Sequence, residues 1–128
     1  SWARLGNIHA MSHPVSAFYN VPHGVANGIL FPYVVKYNEE AAFEKYRKIY
    51  NNISTEKKSA EEFSKGMLEQ AVRELNKQLG IPAKLSDVGV TREHFSQMTE
   101  DAMKSGNIAV NPRKTGSEDI LGIYEEAL

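Results

Sequence analysis

The stretch GNIHAMSHPVSAFYNVPHGVANGILFPYVVKYN, residues 6–38, carries three of the four histidines of a 128-residue chain. Its apolar residues recur at helical rather than alternating spacing, so it reads as two helices joined at a corner. The first helix runs from Trp2 to about Tyr19, with a kink or local break expected at Pro14. Pro22 fits the first turn of the second helix, where a missing N–H costs little. Val25, Ile29, Leu30, Tyr33 and Val34 give that helix an apolar face, and Pro32 is expected to distort its middle. His9 and His13 lie four apart and share one helix face. His23 follows at a Pro-His-Gly corner. Imidazole is the commonest transition-metal ligand, so the cluster suggests a metal or acid/base site.

Outward from this segment the pattern stays helical. Glu39 to about Tyr50 reads as a third helix, ended by Asn51-Asn52, with Phe43, Tyr46, Ile49 and Tyr50 at helical spacing. Ser59 suits an N-cap for the longest helix, which stops at Leu79 and Gly80. Its stripe of Phe63, Met67, Leu68, Ala71, Val72, Leu75 and Leu79 faces a core. Glu62, Lys65, Glu69, Arg73 and Lys77 form a face read as plain solvation. A connector with Leu85, Val88 and Val90 follows, and Thr91 caps a helix from Arg92 to about Lys104. Ser105-Gly106-Asn107 breaks it. Asn111-Pro112-Arg113 lies in the next loop, with Arg113 expected to anchor it by charge-assisted hydrogen bonds. Ser117 caps the last helix. His94 reads as a surface residue. No strand pair or repeat stands out, so the fold class is all-α, a bundle of about six helices.

Composition narrows the function. Hydrophobic content is 41% and charged content 24%, as in an ordinary soluble domain. Fifteen basic against sixteen acidic residues leave a net charge of −1. Neither nucleic acid nor an anionic membrane is an expected partner on electrostatic grounds. The chain has no cysteine, hence no disulfide and no thiolate metal site, which suits a reducing, cytoplasmic setting. No apolar run approaches the roughly 20 residues of a membrane span. A helical pattern already running at Trp2 reads as a piece of a longer protein.

Three histidines do not complete a metal centre by themselves. Such centres commonly include a carboxylate, yet no Asp or Glu occurs before Glu39. Glu39 and Glu40 stand at the far end of the second helix, roughly 20 Å or more away at about 1.5 Å per residue. Either all three histidines hold one metal, or further ligands come from other sequence.

The motif G-x-x-H-A-M-x-H-P-x-x-A-F-Y-N-x-P-H-G-V-A-N, Gly6 to Asn27, resembles the signature of iron-containing (group III) alcohol dehydrogenases. The likeness is nearest to the group holding lactaldehyde reductase, 1,3-propanediol dehydrogenase and the butanol dehydrogenases. It extends through Leu30–Asn38 and to the Asn111-Pro112-Arg113 loop. The resemblance implies that residues 1–128 are the C-terminal helical, metal-binding part of a dehydroquinate synthase-like two-domain fold. The N-terminal nucleotide-binding domain, which would bind NAD(H) or NADP(H), is then missing. It implies His9 and His23 as ligands of Fe²⁺, with zinc or another divalent ion as the alternative, completed by an Asp and a His on an earlier helix. It implies His13 as the catalytic proton relay, and Phe18 and Asn107 as pocket residues. The reaction implied is metal-polarised hydride transfer between a primary alcohol or diol and its aldehyde, in a homo-oligomer, with the fragment alone inactive. Competing readings are a freestanding helical metal-binding or interaction module, and a zinc-using glycerol dehydrogenase or dehydroquinate synthase relative.

Overall fold

In the computed structural model the residues described are 6–53, 58, 63, 64 and 66–128. Among them there is no strand. Six α-helices succeed one another: α1 Gly6–Tyr19, α2 His23–Asn38, α3 Phe43–Ile53, α4 Met67–Leu79, α5 Phe95–Met103 and α6 Ser117–Ala127. Short 3-10 turns at Glu39–Ala41, Leu85–Val88, Arg92–His94 and Gly106–Val110 link them. No helix is long and apolar enough to cross a membrane, among the described residues.

The first two helices form the centre because they are apolar on nearly every side. Met11 and Val15 of α1 and Ala26, Ile29, Leu30, Val34 and Val35 of α2 are fully buried. A helix apolar all round has to be covered on all sides. Accordingly α1 packs on α2 and α5, while α2 also meets α4 and α6. Both helices continue unbroken through their prolines, Pro14 and Pro32. The expected break at Pro14 does not occur. Pro14 and its neighbours Ala10, Met11 and Val15 are buried, and that packing outweighs one lost backbone hydrogen bond.

Several boundaries differ from the sequence expectation. The Trp2–Leu5 start of the first helix and the Ser59 cap lie outside the described residues. The third helix begins with a 3-10 turn, breaks at Ala42 and continues through Asn51-Asn52 to Ile53. Asn51 does not end it because its amide serves the chain beyond. Asn51 Nδ2 donates to the Lys58 carbonyl at 2.9 Å, and Lys58 N–H donates to Asn51 Oδ1 at 2.7 Å.

The described part of the fourth helix starts at Met67, after Gly66 with φ of 90°. Phe63 is therefore off the helix, yet buried against Phe43 and Tyr50 at ring-centroid distances of 5.0 and 5.5 Å. The stripe is covered as far as Val72 and open at its end: Leu75 is 38% and Leu79 66% exposed. Arg73 is more than solvation. It pairs with Glu69 at 2.9 Å and lies 4.7 Å over the Tyr33 ring. Gly80, at φ 74°, closes the helix as expected, with Ile81 N–H donating to the Asn76 carbonyl.

Thr91 caps as expected, its Oγ1 accepting from Glu93 N–H at 3.4 Å, although the first turn is 3-10. The last helix is capped differently. Gly116 holds the N-cap position, and its N–H donates to Asp119 Oδ2 at 2.8 Å.

Candidate functional site

The corner between α1 and α2 brings the histidines together. Asn20 takes φ of 54°, a left-handed conformation asparagine tolerates, and its N–H donates to the Ser16 carbonyl. Val21 is buried and pins the turn. Pro22, whose carbonyl accepts from Val25 and Ala26 N–H at 3.0 Å, starts α2 back alongside α1. His23 thus returns beside the helix that carries His9 and His13.

These three side chains line one cavity of about 610 Å³, together with Ala10, Pro14, Asp101, Ser105 and Asn107. His9 is half-buried; His13 and His23 are exposed. Asn107 comes from the 3-10 turn after α5, whose start is capped by Ser105 Oγ accepting from Asn107 N–H at 3.2 Å. That turn lies directly on Gly6, where a Cβ would come within 1.8 Å of the Asn107 carbonyl oxygen. Only glycine permits the approach.

His9 also borders a second cavity of about 410 Å³, lined by Ile8, Gly24, Asn27, Gly28 and Phe31. Asn27 Oδ1 is buried there with no donor among the described residues. A Cβ at Gly24 would meet nothing within 4 Å, whereas at Gly28 it would come within 2.9 Å of Ile81. Gly28 is therefore small for helix packing; Gly24 leaves His23 open to an approaching group.

Phe18 is not brought to the histidine cavity. Nine residues after His9, at 3.6 per turn, it projects from the opposite side of α1. There it stacks on His94 at 5.0 Å, while Tyr19 meets His94 edge-on at 5.6 Å and its hydroxyl donates to the Thr91 carbonyl at 2.9 Å. His94 is thus half-buried in an aromatic contact, not the surface residue its sequence context suggested. Arg113 does anchor its loop: Nη1 donates to the Tyr37 carbonyl at 2.8 Å, and Cζ sits 4.2 Å over the Tyr37 ring.

Two features were not read from the sequence. One is Asp101 in the cavity wall; nothing on α5 distinguishes it until α5 packs on α1. The other is a buried amide network. Asn7 and Asn38 join Asn111 and Thr115 between the start of α1, the end of α2 and the Asn-Pro-Arg loop.

Two imidazoles from separate helices facing one space suit a divalent metal. Among the described residues, however, no three His, Asp or Glu side chains are placed to hold one. The arrangement fits part of a metal site.

The sequence profile described as "Fe-containing alcohol dehydrogenase family, C-terminal" matches residues 1–128. The chain belongs to this family. Lactaldehyde reductase of Escherichia coli (strain K12) is 43% identical over 125 residues, covering 96% of this chain and 32% of the relative. The 1,3-propanediol dehydrogenase of Citrobacter freundii is 38% identical over 127 residues, covering 98% and 33%. A crystal structure of 1,3-propanediol oxidoreductase superposes with a TM-score of 0.86 at 35% identity, over 95% of this chain and 32% of that one. This member of the alcohol dehydrogenase family thus spans about a third of the length of the relatives it matches. The all-helical architecture and the family resemblance both hold.

Proposed function

We propose that this chain is the helical, metal-side part of an iron-dependent, NAD(P)-linked alcohol dehydrogenase that interconverts a primary alcohol or diol and its aldehyde. The observation that carries the reading is the convergence of His9, His13 and His23, from two helices, on one cavity that Asn107 also borders. In this reading residues 1–128 are the C-terminal domain, and the preceding part of the protein binds the nicotinamide. His9 and His23 hold Fe²⁺, or zinc as the alternative, with remaining ligands from the preceding part. A divalent ion held by His9 and His23 would supply Lewis acidity toward an alcohol or carbonyl oxygen, and a nicotinamide bound by the preceding part would supply the hydride chemistry.

The chain's own residues do the rest. Exposed His13 exchanges the reaction proton with water through its imidazole. Asn107 forms the wall against which the substrate lies, and Gly24 leaves room beside His23. Phe18 acts on this wall only indirectly, by fixing the end of α1 against His94. By itself residues 1–128 are inactive, since nucleotide binding lies elsewhere. A cytoplasmic homo-oligomer completes the reading; the absence of cysteine suits that compartment.

The test is made on the full-length protein containing this segment, loaded anaerobically with Fe²⁺ and assayed by NAD(P)H oxidation with short neutral aldehydes. Turnover is expected. His23→Ala is expected to lose both metal and turnover. His13→Ala keeps the metal and loses on the order of 10²–10⁴ in rate, the usual contribution of a general acid–base group. Metal loss in His13→Ala would make all three histidines ligands, and absence of turnover in the metal-loaded protein would overturn the reading.

A further inference from the structure

We propose that Asp101 makes the histidine cavity select against negatively charged substrates, an inference that rests on the dehydrogenase reading above. Asp101 sits on α5 near its C-terminal end, half-buried between the fully buried Met98 and Ala102 on one side and the cavity on the other. Of the described residues lining the cavity, His9, His13, His23, Ser105 and Asn107 are neutral or basic polar groups, and Asp101 is the one carboxylate among them. Among the described residues, no Lys or Arg lines it.

The carboxylate keeps its charge available to the cavity. Its internal hydrogen bond comes from a neutral amide, Gln97 Nε2 to Asp101 Oδ1 at 2.9 Å. The nearest cation along the helix, Lys104, turns instead toward Glu100, with which it pairs at 3.6 Å. Those two side chains line a separate cleft between α5 and α6. Asp101 is therefore a negative charge without an ion-pair partner among the described residues, facing the space where the aldehyde or alcohol must lie. On top of what a metal ion on His9 and His23 contributes, a substrate bearing its own carboxylate meets repulsion from Asp101 that a neutral aldehyde or diol does not. Half-burial matters because a charge partly removed from water acts at lower effective dielectric than a surface one.

The experiment compares two substrates of nearly the same shape, 4-oxobutanoate and 4-oxobutanamide, which differ in charge. Both are assayed with the full-length, metal-loaded enzyme and its Asp101→Asn variant. Asparagine retains an oxygen to accept from Gln97, so the helix contact survives the substitution. In the variant, kcat/KM for the acid is expected to rise roughly tenfold, through KM, while the amide stays within about twofold, as for unit charges several ångströms apart at intermediate dielectric. Raising the ionic strength is expected to narrow the acid–amide gap in the wild-type enzyme and not in the variant. Asp101→Glu is expected to preserve the discrimination. Parallel changes in both substrates, or an acid rate indifferent to the substitution, would overturn the assignment. If the wild-type enzyme turns over no neutral aldehyde, the dehydrogenase reading itself fails and Asp101 has no substrate to select.

Discussion

Asn38 and Asn111, 73 residues apart, hold each other through paired amide hydrogen bonds: Asn38 Nδ2 donates to Asn111 Oδ1 at 3.0 Å, and Asn111 Nδ2 donates to Asn38 Oδ1 at 2.7 Å. Asn111 Oδ1 also accepts the Asn7 N–H at 3.3 Å. Asn7 Nδ2 completes the network by donating to Thr115 Oγ1 at 3.0 Å. Three distant segments are thereby fixed at the base of the helix that carries His9 and His13.

Removing Asn111 strands several buried groups at once. Each buried polar group left unpaired costs about 1–3 kcal/mol, so Asn111→Ala is expected to lose about 3 kcal/mol of stability. Urea unfolding of the full-length protein measures it. A loss well under 1 kcal/mol would mean that water replaces the amide without cost.

Gly6 and Gly24 are expected to respond oppositely to alanine. At Gly6 the new methyl meets the Asn107 carbonyl, backbone that cannot step aside, and about 1–3 kcal/mol is lost as the turn is pushed off α1. At Gly24 the methyl meets nothing within 4 Å, and helix propensity favours alanine by up to about 1 kcal/mol. Thermal unfolding of the two variants distinguishes them; a destabilised Gly24→Ala would show that another part of the protein lies against that position.

Burial raises the pKa of both Tyr46 and Tyr124 well above the ordinary phenol value. In the unfolded chain these phenols ionise near pH 10. Above that pH the unfolded state holds fewer protons than the folded one, so stability is complete below about pH 10 and falls as pH rises further. The slope approaches about 1.4 kcal/mol per pH unit for each tyrosine. Stability measured from pH 9 to 11 should show the decline, and Tyr124→Phe should make it shallower. The same variant loses the hydroxyl's 2.7 Å bond to the Met11 carbonyl, costing about 1 kcal/mol at neutral pH.

His94→Ala removes the ring stacked on Phe18 and should cost about 0.5–1.5 kcal/mol. Metal content of the full-length protein is expected to remain unchanged, because His94 does not line the histidine cavity. Loss of metal in this variant would show that the end of α1 transmits strain to His9.

Helix existence was legible because periodic apolar residues need no partner to be recognised. The stop at Gly80 was legible for the same local reason, as backbone that only certain residues adopt cheaply. Helix ends decided by distant contacts were not. Asn51 looked like a terminator until its amide was found bonded to Lys58, and Gly116 displaced Ser117 as a cap because Asp119 reaches its N–H. At the site, the four-residue step from His9 to His13 and the Pro-His-Gly corner at His23 were local facts, and the family resemblance implied which of the three hold metal. Phe18 faces away from His9 by simple helical phase, which residue spacing already contained; its ring partner His94 came only from the tertiary packing.

The sequence by itself determined the helices, the histidine cluster and the family, since each rests on residue order within a turn or a short motif. The tertiary structure decided which side chains share the cavity. Asp101 and Asn107 arrive there only because α5 packs on α1 and because Gly6 admits the 3-10 turn at van der Waals contact. Contacts across about a hundred residues depend on how faces fit, and no local pattern encodes that fit.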